Sequence, residues 1–138
     1  MSTFDDGLEI LDDEECLQLL RKGIIGRVAI SVGALPAVFP VNYGVDGDDV
    51  VFFTNDGAKL RAALNGTVVA FEVDYVDEET RSGWSVLVVG RANECSDPAV
   101  LERARGLGIV AWAPGTRDRL VRIHPEMVTG RRIAACAV

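Results

Sequence analysis

Lys59 is the residue whose position in this sequence most clearly indicates chemistry. An apolar strand pattern over Val51–Thr54 is followed by a polar turn, which places Lys59 in the first turn of a predicted helix. The unpaired N–H groups at a helix start carry a partial positive charge, so a cation there is poorly placed. A bound anion, most often a phosphate, explains such a lysine because it is attracted to both groups. The alternative is a solvated lysine that turns away from the helix end.

Other residue types that carry chemistry are few. The chain has a single histidine, His124, and three widely spaced cysteines, Cys16, Cys95 and Cys136. Without a Cys-x-x-Cys pair or a Cys/His cluster, the sequence predicts neither a metal site nor a disulfide framework. A Ser-His-Asp triad would require His124, but no nucleophile-elbow pattern accompanies it. The catalytic residues are therefore left unassigned.

Composition limits the classes of function. The 138 residues are 49% hydrophobic and 25% charged, which is typical of one globular domain. A net charge of −7 argues against nucleic-acid binding. No apolar run of membrane length and no signal-peptide pattern is present, which predicts a cytoplasmic protein with no membrane partner. We expect a flexible or loosely docked leader over residues 1–11 and a single domain over residues 12–138.

Three helices are predicted from their start and stop signals. The first begins at Asp12, with Glu15 three residues later as in a capping box, and ends at an Arg-Lys pair. The second contains Lys59 and ends at Leu64, before an Asn-Gly C-cap. The third starts at Ser96-Asp97-Pro98, with proline at the first helical position, and covers Ala99 to about Arg105.

The remaining pattern is one of strands. They are predicted at Arg27–Val32, Leu35–Val45, Val50–Thr54, Thr67–Val73, Trp84–Glu94, Arg119–Met127 and Val128–Ile133, with an acidic loop over Asp74–Ser82. Pro36 and Pro40 exclude regular pairing along the whole second strand, and one role for them is to protect a sheet edge. Because strands dominate, the predicted fold class is mainly β: a six- to seven-stranded antiparallel barrel with short helices over its openings. The strand that begins at Trp84 is apolar on both faces, so its outer face must meet a helix or a second subunit.

Seven segments of the chain match a known family in order and spacing. They are Gly26-Arg27-Val28-Ala29, Pro36-Ala37-Val38-Phe39-Pro40-Val41-Asn42-Tyr43, Phe53-Thr54 through Lys59-Leu60, Val69-Ala70-Phe71-Glu72-Val73-Asp74, Gly83-Trp84-Ser85-Val86-Leu87-Val88-Val89-Gly90, Trp112-Ala113-Pro114-Gly115 and Val128-Thr129-Gly130-Arg131. The sequence thereby resembles the pyridoxamine 5'-phosphate oxidase-like flavin-binding proteins with the split β-barrel fold, and most closely their short single-domain bacterial branch. The resemblance covers about Leu17 to Ile133.

The resemblance implies an FMN site at the interface of a homodimer. Thr54 and Lys59 match the family positions that hold the flavin phosphate, with Asn55 and Arg61 as possible helpers. The isoalloxazine ring is expected along the second and third strands, beside Pro40, Val41, Asn42, Phe52 and Phe53. Backbone groups that the prolines leave outside the ladder are then available to the ring edge.

The partner subunit is expected to contribute Trp84, Ser85, Trp112 and Arg131. Trp84 either covers a ring or fills the barrel mouth. Trp112 lies in a Pro-Gly loop, where core packing does not readily explain a large aromatic residue. Arg131 either pairs with phosphate as a planar donor or is a solvated strand residue.

The expected function is an FMN-dependent oxidoreductase acting on an unknown small molecule. Pyridoxamine phosphate itself is doubtful as substrate, because the additional basic and histidine residues of the true oxidases have no match here. The alternatives are a reductase that uses the deazaflavin F420 in the same groove, and a non-catalytic flavin- or haem-binding protein. Haem would require an axial ligand, and His124 is the only histidine in the sequence.

Overall fold

The computed structural model of the protein describes residues 3–5, 7–55, 62, 64–115 and 117–134. Nine strands and two helices lie within this part of the chain. In order they are β1 (Thr3–Asp5), β2 (Leu8–Ile10), α1 (Asp13–Lys22), β3 (Ile25–Val32), β4 (Leu35–Asn42), β5 (Gly44–Asp46), β6 (Asp49–Thr54), β7 (Thr67–Asp77), β8 (Ser82–Cys95), α2 (Pro98–Gly106) and β9 (Arg119–Ile133). The predicted helix around Lys59 falls mainly outside the described residues.

All nine strands belong to one antiparallel sheet. Its order is β1-β2-β9-β8-β7-β3-β4, and β6 pairs with both β5 and β9. The long strand β9 connects the β5–β6 hairpin to the rest of the sheet. Its residues Arg119–Ile123 pair with β6, and Arg131 and Arg132 pair with β2. The mainly β antiparallel class is therefore confirmed. Three of the nine strands have only three residues each, and these are too short to give a sequence pattern.

Several boundaries differ from the sequence prediction. The predicted strand Leu35–Val45 is divided into β4 and β5, and the strands predicted at Arg119–Met127 and Val128–Ile133 form the single strand β9. Asp74–Asp77 is the end of β7, paired with Ser82–Ser85, and is not part of an acidic loop. Asp74 is exposed and Asp77 partly exposed on the strand, where polar residues are tolerated, so their polarity did not indicate a loop. Within the predicted leader, β2 pairs with β9 and the following Leu11 is buried, so this part is docked on the sheet.

The main core is formed by buried residues of the sheet together with Cys16, Leu19 and Leu20 of α1. The Asp12 side chain caps that helix by accepting a hydrogen bond from the Glu15 amide at 2.9 Å, as predicted. Leu20 of α1 is buried in the core, and its carbonyl accepts a hydrogen bond from the Tyr43 hydroxyl. The Tyr43 ring meets Phe71 edge to face, with ring centroids 4.8 Å apart. This packing fixes β4 and β5 against the barrel.

A smaller apolar cluster holds α2 against the other side of β6 and β9. Val100 and Ala104 of α2 pack with Val51 and Leu120, and Ile109 packs against the same cluster. The chain after α2 is thereby fixed where it starts back toward β9. No helix in the described part of the chain has the length and apolar character needed to span a bilayer.

Candidate functional site

A cavity of about 190 Å³ lies between the ends of β4 and β6, and we name it the β4–β6 cavity. The segment between α2 and β9 forms its remaining wall. Its lining residues are Phe39, Pro40, Val41, Asn42, Phe53, Thr54, Asn55, Ile109, Ala111, Ala113 and Arg117. Six of the thirteen residues predicted to bind a cofactor are in this set: Pro40, Val41, Asn42, Phe53, Thr54 and Asn55.

The β4 wall of this cavity is an edge strand. Among the described strands β4 pairs only with β3, over the full register from Ile25↔Asn42 to Val32↔Leu35. Pro36 and Pro40 therefore lie at a sheet edge, where a missing N–H removes no ladder hydrogen bond from a second neighbour. The edge position alone accounts for both prolines, so they do not require a ligand. It also leaves the unpaired side of β4 accessible to a ligand.

The β6 wall ends in a buried polar residue. Thr54 is only 6% exposed, although it is the last residue of the strand. Phe53 is half-buried and faces the cavity, whereas the Phe52 side chain is fully buried in the barrel core. The Phe52 side chain therefore does not line this cavity, because neighbouring residues of a strand point to opposite faces, and its expected place beside a cofactor ring stays a prediction. Lys59 and Arg61 lie outside the described residues.

Asn42 connects β4 to the segment between α2 and β9. Its Oδ1 accepts a hydrogen bond from the backbone amide of Trp112 at 2.9 Å. Its Nδ2 is buried and has no hydrogen-bond partner among the described residues. A buried amide donor without an acceptor costs about 1–3 kcal/mol. A ligand that brought a carbonyl or ring nitrogen to this donor would satisfy it.

Arg117 is a lining residue that the sequence reasoning missed. Its Nη1 donates hydrogen bonds to the carbonyls of Pro114 at 2.9 Å and Ala113 at 3.5 Å. It is the only charged side chain among the described lining residues. Its position in the sequence could have indicated this role, because Arg117 comes two residues after the segment Trp112–Gly115, which contains the predicted cofactor residue Trp112.

A second cavity, of about 550 Å³, lies where β7, β8 and the end of β9 meet, and we name it the β7–β8 cavity. It contains Trp84, Ser85 and Arg131, three of the four residues expected from a partner subunit. The other lining residues are Leu8, Asp74, Tyr75, Val76, Asp77, Glu78, Arg81, Ser82, Gly83 and Ile133. The structure therefore separates the predicted cofactor residues into two groups on one chain.

Trp112, the fourth expected partner residue, is in neither group. It is 66% exposed and lines a neighbouring cavity of about 450 Å³, which shares Asn42 and Ile109 with the β4–β6 cavity. The Asn42–Trp112 hydrogen bond lies between these two spaces. An exposed tryptophan at this position confirms that core packing does not account for it.

His124 lies away from all of these residues. Its Nδ1 is 2.7 Å from Oδ1 of Asp49, which is itself buried and also accepts a hydrogen bond from Arg122. The ring lines a separate cavity, the α1–β9 cavity, with Asp13, Leu17, Leu20, Asp48, Pro125, Glu126, Met127 and Val128. Within the described residues, no group of three or more His, Cys, Asp or Glu side chains is arranged to hold a metal ion.

The chain is similar to known proteins over most of its length. The model of a family described as pyridoxamine 5'-phosphate oxidase matches residues 12–132. A Mycobacterium tuberculosis protein described as uncharacterized is 42% identical over 130 residues, which are 91% of this chain and 85% of the relative.

Two solved structures share the fold over nearly their whole length. The FAD binding protein from Mycobacterium smegmatis is 33% identical, with a TM-score of 0.72 over 92% of this chain and 99% of its own. A FAD-binding protein from Mesorhizobium loti is 26% identical, with a TM-score of 0.74 over 92% of this chain and 99% of its own. The agreement confirms the predicted split-barrel fold.

Proposed function

This chain belongs to the pyridoxamine 5'-phosphate oxidase family, and we propose that it is a flavin-dependent oxidoreductase whose cofactor binds in the β4–β6 cavity. The observation that carries the proposal is that cavity. The ends of β4 and β6, with the adjoining Asn55, bring six predicted cofactor residues to it, and the buried Nδ2 of Asn42 has no acceptor within the described residues.

The chemistry of the lining fits a flavin nucleotide. One part is apolar and aromatic, with Phe39, Val41 and Phe53, as a flat ring requires. The other part is polar and positively charged, with Thr54 and Arg117, as a phosphate requires. The donor Nδ2 of Asn42 suits the carbonyl and ring-nitrogen acceptors of a flavin.

FMN is the flavin we propose. Its single phosphate matches the expected roles of Thr54 and Lys59 in the family. FAD is the second candidate, because the M. smegmatis protein that is 33% identical over 92% of this chain is a FAD binding protein. Both nucleotides present a ring and a phosphate to the same kind of lining.

We also propose a homodimer in which the β7–β8 cavity of one subunit completes the β4–β6 cavity of its partner. Trp84, Ser85 and Arg131 are gathered in a different cavity from the other predicted cofactor residues, which is expected when two chains share a site. The outer face of the sheet supports association. An apolar row crosses it through Val38, Ala29, Ala70, Val89 and Met127, and its two end residues are 64% and 50% exposed.

In this proposal the chain binds, orients and shields the cofactor. A bound flavin supplies the transfer of hydride or single electrons, and the protein sets its position and surroundings. Asn42 holds the ring edge, while the Ile109–Arg117 segment covers the site and limits the access of water. A small-molecule substrate other than pyridoxamine phosphate is expected, because Arg117 is the one cation among the described lining residues and His124 lies at a different cavity.

Titration of the purified protein with FMN and FAD tests the proposal. We expect saturable binding of one flavin per chain, followed by anaerobic reduction of the bound flavin by NADH or NADPH. His124→Ala is the matched control and should bind flavin as the wild type does. Protein that binds no flavin would contradict the proposal. A Soret band that disappears in His124→Ala would instead establish haem binding.

A further inference from the structure

We propose that the substrate of the flavin binds in the cavity beside Trp112, and that this substrate is an aromatic, largely apolar molecule without a positive charge. The cavity has a volume of about 450 Å³ and lies between the end of α1, β5 and the segment after α2, and we name it the Trp112 cavity. This inference rests on the proposed function and names the class of molecule on which the flavin acts.

Exposed apolar side chains gather around the Trp112 cavity. Eleven large hydrophobic side chains are exposed within the described part of the chain, and four of them line this cavity: Ile24, Leu107, Val110 and Trp112. None of the four belongs to the apolar row through which we propose that two subunits associate. Apolar surface around a concave site is characteristic of small-molecule binding, and the volume lies within the usual range of about 300–1,000 Å³.

The walls of the Trp112 cavity are held by the fold itself. The Tyr43 amide donates a hydrogen bond to the Ile24 carbonyl at 3.2 Å, and the Leu107 amide donates one to the Ala104 carbonyl at 3.1 Å. Gly44 lets β5 and the segment after α2 approach closely, because a Cβ there would lie 3.1 Å from Cδ1 of Leu107. A preformed site of this kind loses little conformational entropy when a rigid, flat molecule binds.

The charge around the cavity disfavours a cationic substrate. Arg21 is the only charged side chain among the described lining residues, and they include no carboxylate, although the chain carries a formal net charge of −7. The Arg21 Nη2 donates a hydrogen bond to the Gly47 carbonyl at 3.0 Å. A positively charged group that left water here would meet no opposite charge, and a neutral or anionic molecule avoids that cost.

The Trp112 cavity adjoins the proposed flavin site directly. It shares Asn42 and Ile109 with the β4–β6 cavity, and the hydrogen bond from the Trp112 amide to Oδ1 of Asn42 lies at their boundary. The α1–β9 cavity shares no described lining residue with the β4–β6 cavity, and the β7–β8 cavity is already assigned to the partner's flavin. Because a redox substrate must contact its flavin, the Trp112 cavity is the one placed to hold it.

Three naphthalene compounds that differ in charge test the inference: neutral 2-naphthol, anionic 2-naphthoate and cationic 2-naphthylmethylammonium. Equilibrium dialysis against FMN-loaded protein measures their binding at neutral pH. We expect one molecule of 2-naphthol or 2-naphthoate per chain, and an affinity for the cation that is lower by about tenfold or more, because its charge is unpaired. Bound 2-naphthol should also perturb the visible absorption spectrum of FMN, because the two cavities adjoin.

Two variants place a carboxylate in the lining from different segments of the chain. Val110→Asp and Ile24→Asp should each lower 2-naphthol affinity by about tenfold or more, while FMN is still bound. Val110 is 68% exposed and Ile24 60% exposed, so neither change disturbs the core. Val68→Asp, at a 52% exposed residue of β7 outside the cavities described above, is the matched control and should bind 2-naphthol as the wild type does.

The possible failures of the inference and of the proposed function are distinguishable. FMN-loaded protein that binds none of the three compounds, or binds them equally in the wild type and both variants, would overturn this inference and leave the proposed function standing. Tighter binding of the cation would overturn the substrate class. Competition between 2-naphthol and FMN, or binding without a change in FMN absorption, would overturn the placement beside the flavin. Protein that binds 2-naphthol but no flavin would overturn the proposed function and the substrate role with it.

Discussion

The backbone amide of Trp112 donates a hydrogen bond to Oδ1 of Asn42 at 2.9 Å, across 70 positions of sequence. This bond ties the loop after α2 to the edge strand β4 and forms part of the cavity wall. It also orients the Asn42 amide, so that Nδ2 is buried without an acceptor in the described structure. One side chain thus positions the loop and carries an unsatisfied donor, which we propose is met by the cofactor.

Asn42→Asp separates these two roles. The carboxylate still accepts the hydrogen bond from Trp112, but the Nδ2 donor is lost and a negative charge is added. We expect flavin affinity to fall by about tenfold or more, since one hydrogen bond is worth about 1 kcal/mol and the charge opposes a phosphate. Fluorescence titration with FMN measures the change. Asn93→Asp, at an exposed position of β8, is the control, and equal affinity in both variants would contradict the role of Asn42.

From the surroundings of Glu72 we predict that the free energy of unfolding depends on pH. Glu72 lies on the outer face of β7, 3.6 Å from Arg27, and one of its carboxylate oxygens is buried without a hydrogen-bond partner within the described residues. Burial, followed by the hydrogen bond and charge of Asp74, raises the pKa of Glu72 to about 7, from a usual value of 4.5. The native state therefore holds a proton that the unfolded state releases, and stability falls as pH rises from about 4.5 to 7.

Glu72→Gln should remove that fall. Because the side chain is about one-third exposed, solvent screening limits the effect to about 1 kcal/mol. Urea unfolding should show the variant more stable than the wild type at pH 8 and nearly equal at pH 4. Glu102→Gln, on the exposed face of α2, is the control. A variant that is equally stable to the wild type at pH 8 would show that Glu72 is not protonated at neutral pH.

Substitution of Asp49 should lower the stability of the protein and leave flavin binding intact. Asp49 is buried and accepts hydrogen bonds from Arg122 and His124, so Asp49→Ala removes both bonds and leaves Arg122 only its longer contact with Asp46, at 3.8 Å. We expect a loss of about 1–3 kcal/mol in the free energy of unfolding. The exposed Asp48→Ala is the control and should lose little. FMN affinity should be unchanged at a temperature where the variant is folded, because this network lies outside the β4–β6 cavity.

Gly26 tests the packing that holds β3 and β7 together. A Cβ at this position would lie 2.1 Å from the Phe71 ring, which is fully buried in the core. Gly26→Ala should therefore destabilise the protein by about 1–3 kcal/mol, measured as the free energy of unfolding in urea. At Gly106, the last residue of α2, an added Cβ meets nothing within 4 Å. Gly106→Ala should be neutral or slightly stabilising, and equal losses in the two variants would contradict the packing argument.

Local features of this fold could be predicted from the sequence. The cap at Asp12 depends only on residues a few positions away, and its side chain accepts the predicted hydrogen bond. The family resemblance was also predicted from the order of segments and is confirmed by the match over residues 12–132. The face that Phe52 presents was predictable too, since strand periodicity separates it from Phe53.

The assembly of the site could not be predicted in the same way. Arg117 lines the β4–β6 cavity because α2 packs on the outside of β6 and directs the following loop across β4. That placement depends on contacts between residues far apart in sequence, which local patterns do not encode. The sequence placed Lys59 at the phosphate, and that role stays a prediction.

The location of bound flavin is the most direct test of the account. Nuclear magnetic resonance spectra of isotope-labelled protein, recorded during titration with FMN, report which residues the ligand affects. We predict that the side-chain amide of Asn42 and the backbone amides of Thr54, Asn55 and Trp112 shift together, and that those around Asp49 do not. Shifts confined to the surroundings of His124 and Asp49, with Asn42 and Thr54 unchanged, would contradict the assignment of the β4–β6 cavity as the flavin site.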